Sequence, residues 1–254
     1  MEKVGVLVKV ADIMDLLSST REPLSVSELA RRLDMPRATL HRLITAMEEQ
    51  HLVESSHGRL RPGIRLVRWA NEAWESSDLR RLAHPVLEAI VRETGETAAL
   101  FVRVGTERIC LDRVEGSGLL RSVTRIGESS PLHLGSSGKV LLAFSPRKEW
   151  PELLRESRAR FPDEPARDLP DLDLIRASGY VISTGDRDDA LSSLSVPVFG
   201  QTGAVCAALS ISGPNSRLTV QRLEACITML HDAAKQLHAA LRRQPVRGQA
   251  AKRP

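Results

Sequence analysis

Residues 25–66 read SVSELARRLDMPRATLHRLITAMEEQHLVESSHGRLRPGIRL, and the folding of this stretch decides how the remainder is read. Ser25-Val26-Ser27-Glu28 has the form of a capping box, in which the Ser25 hydroxyl accepts a backbone N–H and the Glu28 carboxylate reaches back to the cap. Apolar Val26, Leu29, Ala30 and Leu33 then share one helical face, Asp34-Met35-Pro36 interrupts the pattern, and Leu40, Leu43, Ile44 and Met47 resume it. Aspartate tolerates a left-handed backbone and proline suits a first helical turn, so Asp34 ends one helix and Pro36 helps begin the next. Downstream, Leu52-Val53-Glu54 and Arg59-Leu60-Arg61 flank Ser55-Ser56-His57-Gly58, which predicts two short strands around a turn whose glycine takes positive φ. The order is that of a winged helix-turn-helix. In such a motif the N-terminal end of the second helix meets base edges and phosphates in the major groove, which makes Arg37, Thr39, His41 and Arg42 candidate DNA contacts. Arg59 and Arg61, with Arg65 nearby, make the wing cationic.

Working outward, Val10, Ile13, Met14 and Leu17 form a helical stripe ahead of the motif, and Ile64 to Ser77 reads as a further helix leaving the wing. Trp69 and Trp74 on that helix lie outside the groove-facing elements and are read as packing or dimer contacts. Leu79, Leu82, Val86, Leu87, Ile90 and Val91 open a second domain with a helix that Gly95 ends. Strand-like runs follow at 97–104, 108–114 and 119–126, helical pattern at 136–144, 149–160 and 171–177, and strands again at 180–184, 192–198 and 204–212. Gln201-Thr202-Gly203 is a hairpin turn, and from Thr219 a long final helix places Leu223, Ile227, Leu230, Ala234, Leu237 and Leu241 on one seam. Strands grouped between helices in this way predict an α+β domain with a largely antiparallel sheet. The expected boundaries are 1–66 for the DNA-binding domain, 67–78 for a linker helix, 79–242 for the second domain, and 243–254 for a basic tail of disordered composition.

Composition bounds the function. A chain of 254 residues with 42% apolar content can bury two cores. No run approaches the roughly 20 apolar residues of a membrane span, and Met1-Glu2-Lys3 leads directly into mixed sequence, so a cytoplasmic protein without membrane contact is expected. Cys110, Cys206 and Cys226 are isolated and flanked by apolar residues, which fits buried reduced thiols rather than a disulfide framework or a metal site. The formal charge of +4 owes its sign to Arg242, Arg243, Arg247, Lys252 and Arg253, so local placement of charge on the second helix and wing is what argues for nucleic acid.

Several chemistries are set aside. Gly135-Ser136-Ser137-Gly138-Lys139 suggests a phosphate loop, but His133 stands where its first glycine belongs and Val140 where Ser or Thr should follow the lysine. No GxSxG elbow is present. His133 is read as a structural hydrogen-bonding group. Asp186, Asp188 and Asp189 could hold a hard cation, yet such a cluster on a polar loop is expected to face water. The residues therefore call for no catalytic constellation, no metal and no cofactor.

Pro131-Leu132-His133 leading to Gly138-Lys139-Val140-Leu141-Leu142-Ala143, then Gly179-Tyr180, Ser193-Leu194-Ser195-Val196-Pro197-Val198, Leu209-Ser210-Ile211-Ser212-Gly213-Pro214 and Ser216-Arg217-Leu218-Thr219 occur in an order that resembles the IclR family of bacterial transcriptional regulators. The resemblance runs from about Val10 to Leu241. It implies that the second domain is GAF-like and binds a small organic effector, commonly an acid or an aromatic catabolite, and that a dimer or dimer of dimers acts on a palindromic operator. Carried over by position, it frames the effector site with Leu119, Ser122, Ser136, Ser137, Ser183, Leu191, Ser193, Ser210 and Ser212. The N–H groups of Ser136 and Ser137 at a helix start would suit an anionic group. This chain departs from the family where Ser183 replaces a common acid, Ser193 a common cysteine and Ala190 a common glycine, and a serine-lined site favours a polar or hydroxylated ligand. The expected protein is a sequence-specific DNA-binding regulator, not an enzyme, whose effector modulates operator binding. The rival is a constitutive DNA-binding protein whose second domain serves only for oligomerisation.

Overall fold

The computed structural model describes residues 5–20, 22–118, 124–165, 167–186 and 188–244. They form two compact units, the division falling between Ser77 and Asp78 of the chain. The first contains α1 (Gly5–Ser19), β1 (Leu24–Ser25), α2 (Val26–Arg32), α3 (Arg37–Glu49), β2 (Val53–Ser56), β3 (Arg59–Pro62) and α4 (Arg65–Glu75). Both arms of the capping box form, with Glu28 N donating to Ser25 Oγ at 3.2 Å and Ser25 N to Glu28 Oε2 at 2.7 Å. Asp34 takes φ 47°, which lets Met35 N turn back to Ala30 O at 3.0 Å and aims α3 away from α2. Ile13, Leu17, Leu29, Leu40, Ile44 and Leu60 bury the shared core of this unit. Full burial of one such aliphatic side chain contributes about 1.5–3 kcal/mol.

The hairpin is longer than its pattern suggests. β2 runs on to Ser56, and His57 and Gly58 alone make the turn, with φ 52° and 72°. Positive φ at both central residues matches the twist of the flanking strands, which is why a two-residue turn suffices. β1 pairs antiparallel with β3 through Leu24 and Leu60, completing a three-stranded sheet. A two-residue strand is too short to show a period, so the sequence pattern did not reveal it.

The second unit contains α5 (Asp78–Thr94), β4 (Thr97–Val104), β5 (Glu107–Val114), β6 (Ser129–Pro131), α6 (Gly135–Ala143), α7 (Trp150–Arg160), α8 (Leu172–Ser178), β7 (Val181–Thr184), β8 (Leu191–Phe199), β9 (Val205–Pro214), α9 (Val220–Ala225) and α10 (Ile227–Arg242). Its strands form one antiparallel sheet in the order β6-β5-β4-β9-β8-β7, as the α+β reading expects. On one face Leu87 and Ile90 of α5 and Leu230 and Leu237 of α10 meet Leu100, Leu194, Val196 and Leu209. On the other, Val140 and Leu142 of α6 meet Ala99, Phe101 and Ala208. The period of two sorts β8 cleanly: Leu194, Val196 and Val198 enter the first core while Ser193 and Ser195 point to the α6 side.

Two expectations are corrected. No strand runs through 124–126; the chain turns there, with Glu128 N bonded to Arg125 O and Gly127 at φ 81°, Gly127 and Glu128 then exchange backbone hydrogen bonds with Cys110, and the strand itself begins at Ser129. Residues 119–123, the start of that expected strand, lie outside the described residues, as do 245–254 of the basic tail. The final helix is two helices, because at Cys226 the N–H closes onto Leu223 O, three residues back, and the regular four-residue ladder restarts from Ile227.

Gly138 fixes the seat of α6. A Cβ there would stand 2.7 Å from Leu132 O and 2.8 Å from Pro131 O, so the helix lies against the preceding backbone closer than any side chain permits. Gly138→Ala is expected to destabilise the protein by about 1–3 kcal/mol in urea unfolding, since neither carbonyl can move without disturbing β6. An unchanged unfolding midpoint would contradict this close approach.

Candidate functional site

On the first unit, Leu40, Ile44 and Met47 turn one face of α3 inward, which leaves Arg37, His41 and Arg42 exposed and Thr39 half-buried beside them. Among the described residues Arg37 and Arg42 form no ion pair. The wing differs. Arg59 reaches Glu28 Oε2 at 3.0 Å and Pro23 O at 3.1 Å, and Arg61 meets Glu54 Oε2 at 3.0 Å. Both wing arginines stay more than half exposed while fixing the hairpin to its own unit. Arg65 lies over the Trp69 ring at 5.3 Å, so that aromatic packs against its own helix.

In the second unit the α6 side of the sheet holds a cavity of about 440 Å³. Ser136, Ser137, Ser183, Leu191, Ser193, Ser210 and Ser212 all line it; Leu119 and Ser122 lie outside the described residues. Strand register explains the convergence. Ser193 pairs with Ser183 on one side and Ser212 on the other, and Ser195 pairs with Ser210, so five hydroxyls share one sheet face. Ser136 Oγ, at the start of α6, lies 2.8 Å from Ser193 Oγ and 2.7 Å from Ser195 Oγ.

The charged groups here escape a reading by motif. Asp186 does not face water; its side chain is 10% exposed and its Oδ2 accepts from Gly135 N at 2.6 Å, Lys139 Nζ at 2.7 Å and Ser183 Oγ at 3.0 Å. Burial alone would push this carboxyl up, but the Lys139 ammonium and the Gly135 and Ser183 donors outweigh it and hold the group below the ordinary aspartate value. The first N–H of α6, that of Gly135, therefore already carries a carboxylate; the donors the resemblance pointed to, the N–H groups of Ser136 and Ser137, are the two that follow it. Asp188 and Asp189 stay exposed, as expected of the cluster.

Arg108 is the other unforeseen group. It is 7% exposed, its guanidinium lies over the Phe101 ring at 5.0 Å, and it donates to Ser137 Oγ. Signals for both existed: a lysine directly preceding the apolar run Val140–Ala143 on one helix demands a buried partner, and Arg108 shares a strand face with buried Cys110. His133 is structural, as expected. Ser157 Oγ accepts from Leu132 N at 3.0 Å and lies 3.2 Å from His133 Nδ1, an arrangement satisfied when the serine donates to a neutral imidazole. Burial and then Arg158 lower its pKa accordingly. Burial also pushes the Cys110 thiol up to about 12, as befits an unreactive core cysteine.

Known proteins match along most of the chain. The family model for the IclR helix-turn-helix domain matches residues 6–57, and that for the bacterial transcriptional regulator IclR C-terminal region matches residues 71–239. The HTH-type transcriptional regulator BhcR of Paracoccus denitrificans is 32% identical over 89% of this chain and 83% of its own. KdgR of Escherichia coli, named likewise, is 30% identical over 94% of both chains. Among solved structures, an IclR homologue from Microbacterium hydrocarbonoxydans, complexed with 4-hydroxybenzoate, superposes with a TM-score of 0.70 at 25% identity, covering 94% of this chain and all of that one.

The buried pair has a measurable signature. Because folded Asp186 binds its proton less readily than the unfolded side chain, its contribution to stability is complete above the ordinary value of 3.8 and is lost as pH falls through the lower folded value. Asp186→Asn leaves Lys139 buried without its counter-charge and is expected to cost about 3 kcal/mol in urea unfolding at neutral pH. The gap should narrow toward acid pH; a constant gap would show that the carboxylate charge is not what the pair contributes.

Proposed function

The chain belongs to the IclR family of bacterial transcriptional regulators, and from that premise we propose that it binds a specific operator through α3 and senses a small polar organic molecule, an organic acid or catabolite, in the serine-lined cavity. Its relatives are named as HTH-type transcriptional regulators, not enzymes, and the chain carries the same two regions. The observation that carries the reading is the convergence of seven resemblance-derived residues on one cavity. A volume of that size suits a small metabolite. The relative complexed with 4-hydroxybenzoate supports an organic acid as effector.

The proposed mechanism is linkage. A ligand that binds one arrangement of a homo-oligomer better than another changes operator affinity by that difference in free energy, and the operator reciprocally changes ligand affinity. Two copies of α3 on a palindrome would address half-sites about 34 Å apart, or a multiple of that. No helix among the described residues is long and apolar enough to cross a membrane, which fits the cytoplasmic location proposed for such a regulator.

Operator DNA selected by the full-length protein from a random library supplies the test. Arg37→Ala and Arg42→Ala are each expected to weaken binding and to lower the slope of log affinity against log salt by about 1, since each arginine would release counterions from phosphate. An unchanged slope in both variants would remove α3 as the reading element. Arg59→Ala should additionally lower thermal stability, because Arg59 ties the wing to Glu28 and Pro23. Small carboxylic acids, aromatic acids and sugar acids that raise the melting temperature should also shift operator affinity. Stabilisation with no change in operator affinity would favour the constitutive DNA-binding alternative.

A further inference from the structure

Helix α4 has no residue buried, so core packing does not set its direction against α3. Polar bonds at its start do so instead. Arg65 Nη1 donates to Gln50 O at 3.1 Å and to Gln50 Oε1 at 2.8 Å, and Arg65 N donates to His51 O at 3.2 Å. Gln50 is the C-terminal cap of α3, so the guanidinium meets a carbonyl beyond the reach of that helix's own N–H groups, at the negative end of its dipole. In the other direction the wing carboxylate of Glu54 accepts from Ile64 N at 3.2 Å, at the positive start of α4. Backbone shape completes the joint. His51 takes φ 56°, and a Cβ on Gly63 would overlap His51 O, so the chain entering the wing and the chain leaving it lie in direct backbone contact. The Arg65 guanidinium also lies over the Trp69 ring of α4, so one cation spans from the linker helix to the end of the recognition helix.

The chain passes from the first unit to the second only by way of α4, whose hydrogen bonding runs on through Ser76 N to Glu72 O and Ser77 N to Trp74 O. In the proposed homo-oligomer, any geometry imposed through the second units reaches α3 through α4. A joint that pivots would let two copies of α3 settle at several separations; a joint that holds commits them to one. DNA makes the difference readable, because one added base pair shifts a half-site by about 3.4 Å and turns it by about 35°.

Resting on the operator-binding reading above, we propose that Arg65 is a positioning residue for DNA recognition: by clamping the C-terminal end of α3 to the start of α4 it fixes the half-site spacing that the protein accepts. Its guanidinium serves the joint and is not a phosphate contact. The selectivity it confers is for spacing, not for base sequence within a half-site.

Operator DNA selected by the full-length protein, rebuilt with its half-sites one or two base pairs closer or farther apart, tests this. The wild-type protein is expected to lose at least about tenfold in affinity when a single base pair is added or removed. Arg65→Ala should cut that penalty to about threefold or less and lower affinity at the best spacing only severalfold, the cost of lost preorganisation. The slope of log affinity against log salt should stay unchanged, since no counterion-releasing contact is removed. Arg65→Lys, which can still donate to Gln50 O without the fork, should restore part of the discrimination. Gln50→Ala, which loses only the Oε1 acceptor, should relax it less than Arg65→Ala does. Should Arg65→Ala fail to fold, the lysine and Gln50 variants decide. A wild-type protein indifferent to spacing, variants with the wild-type spacing profile, or a salt slope lowered by about 1, which would make Arg65 a phosphate contact, each overturns the proposal. Arg37→Ala and Arg42→Ala separate this inference from the reading beneath it. If they weaken binding at every spacing while the Arg65 variants keep the wild-type profile, α3 still reads DNA and only the joint is lost; if they leave affinity and slope untouched, the reading itself falls.

Discussion

One carboxylate oxygen organises the sensing half of this protein. Asp186 Oδ2 receives the first N–H of α6, the Lys139 ammonium one turn along that helix, and the Ser183 hydroxyl of β7. Neither charge could be buried alone, because an isolated ion removed from water costs several kcal/mol. Together they pin the segment between β7 and β8 to the start of α6 across 51 residues of sequence. The segment has further anchors in Arg167, which donates to Gly185 O, and Asn215, which donates to Asp189 O. The cavity exists because this segment is held against the sheet at a fixed distance from the helix.

The same constraint distributes the roles of the remaining polar groups. With the first N–H of α6 and the Lys139 ammonium engaged by Asp186, Arg108 is the cation among the described cavity-lining residues, and its guanidinium lies over the Phe101 ring. The serines follow from strand alternation: every second residue of β8 supports the α5 and α10 core, and the residues between them are free to be polar because their side of the sheet opens into the cavity. The core and the cavity lining are thus carried by opposite faces of the same strands. Leu194 is buried in the core, whereas Ser193 lines the cavity.

The reading half follows a comparable division. Glu28 closes the capping box of α2 and also holds Arg59 of the wing, so a local helix signal and a long-range tether share one carboxylate, which its Ser25 hydrogen bonds hold below its ordinary pKa. Arg59 and Arg61 are engaged in the architecture of the hairpin, whereas Arg37 and Arg42 on α3 are exposed and form no such pair among the described residues. Charge that is already matched within the protein has less to gain from phosphate than charge that is not.

Local chemistry was readable from residues alone. The capping box at Ser25 and Glu28, the left-handed turn at Asp34, the hairpin around Gly58 and the alternation along β8 depend on neighbours a few positions away, and each stands where its pattern lies. The motif order also pointed to the family and to seven of the cavity residues. What the residues alone did not disclose were the break at Cys226, the short β1, the turn at 125–128 and the inward Asp186. The first three are short interruptions that a long window averages away. Asp186 is of another kind: an aspartate on a polar loop is normally solvated, and only the folded chain, by bringing Lys139 and the Gly135 N–H within 2.7 Å of it, makes burial cheaper than exposure. Sequence by itself determined the elements, the alternation of their faces and the family. The tertiary structure alone decided which charges neutralise each other, because pairing energy depends on distances between residues far apart in the chain.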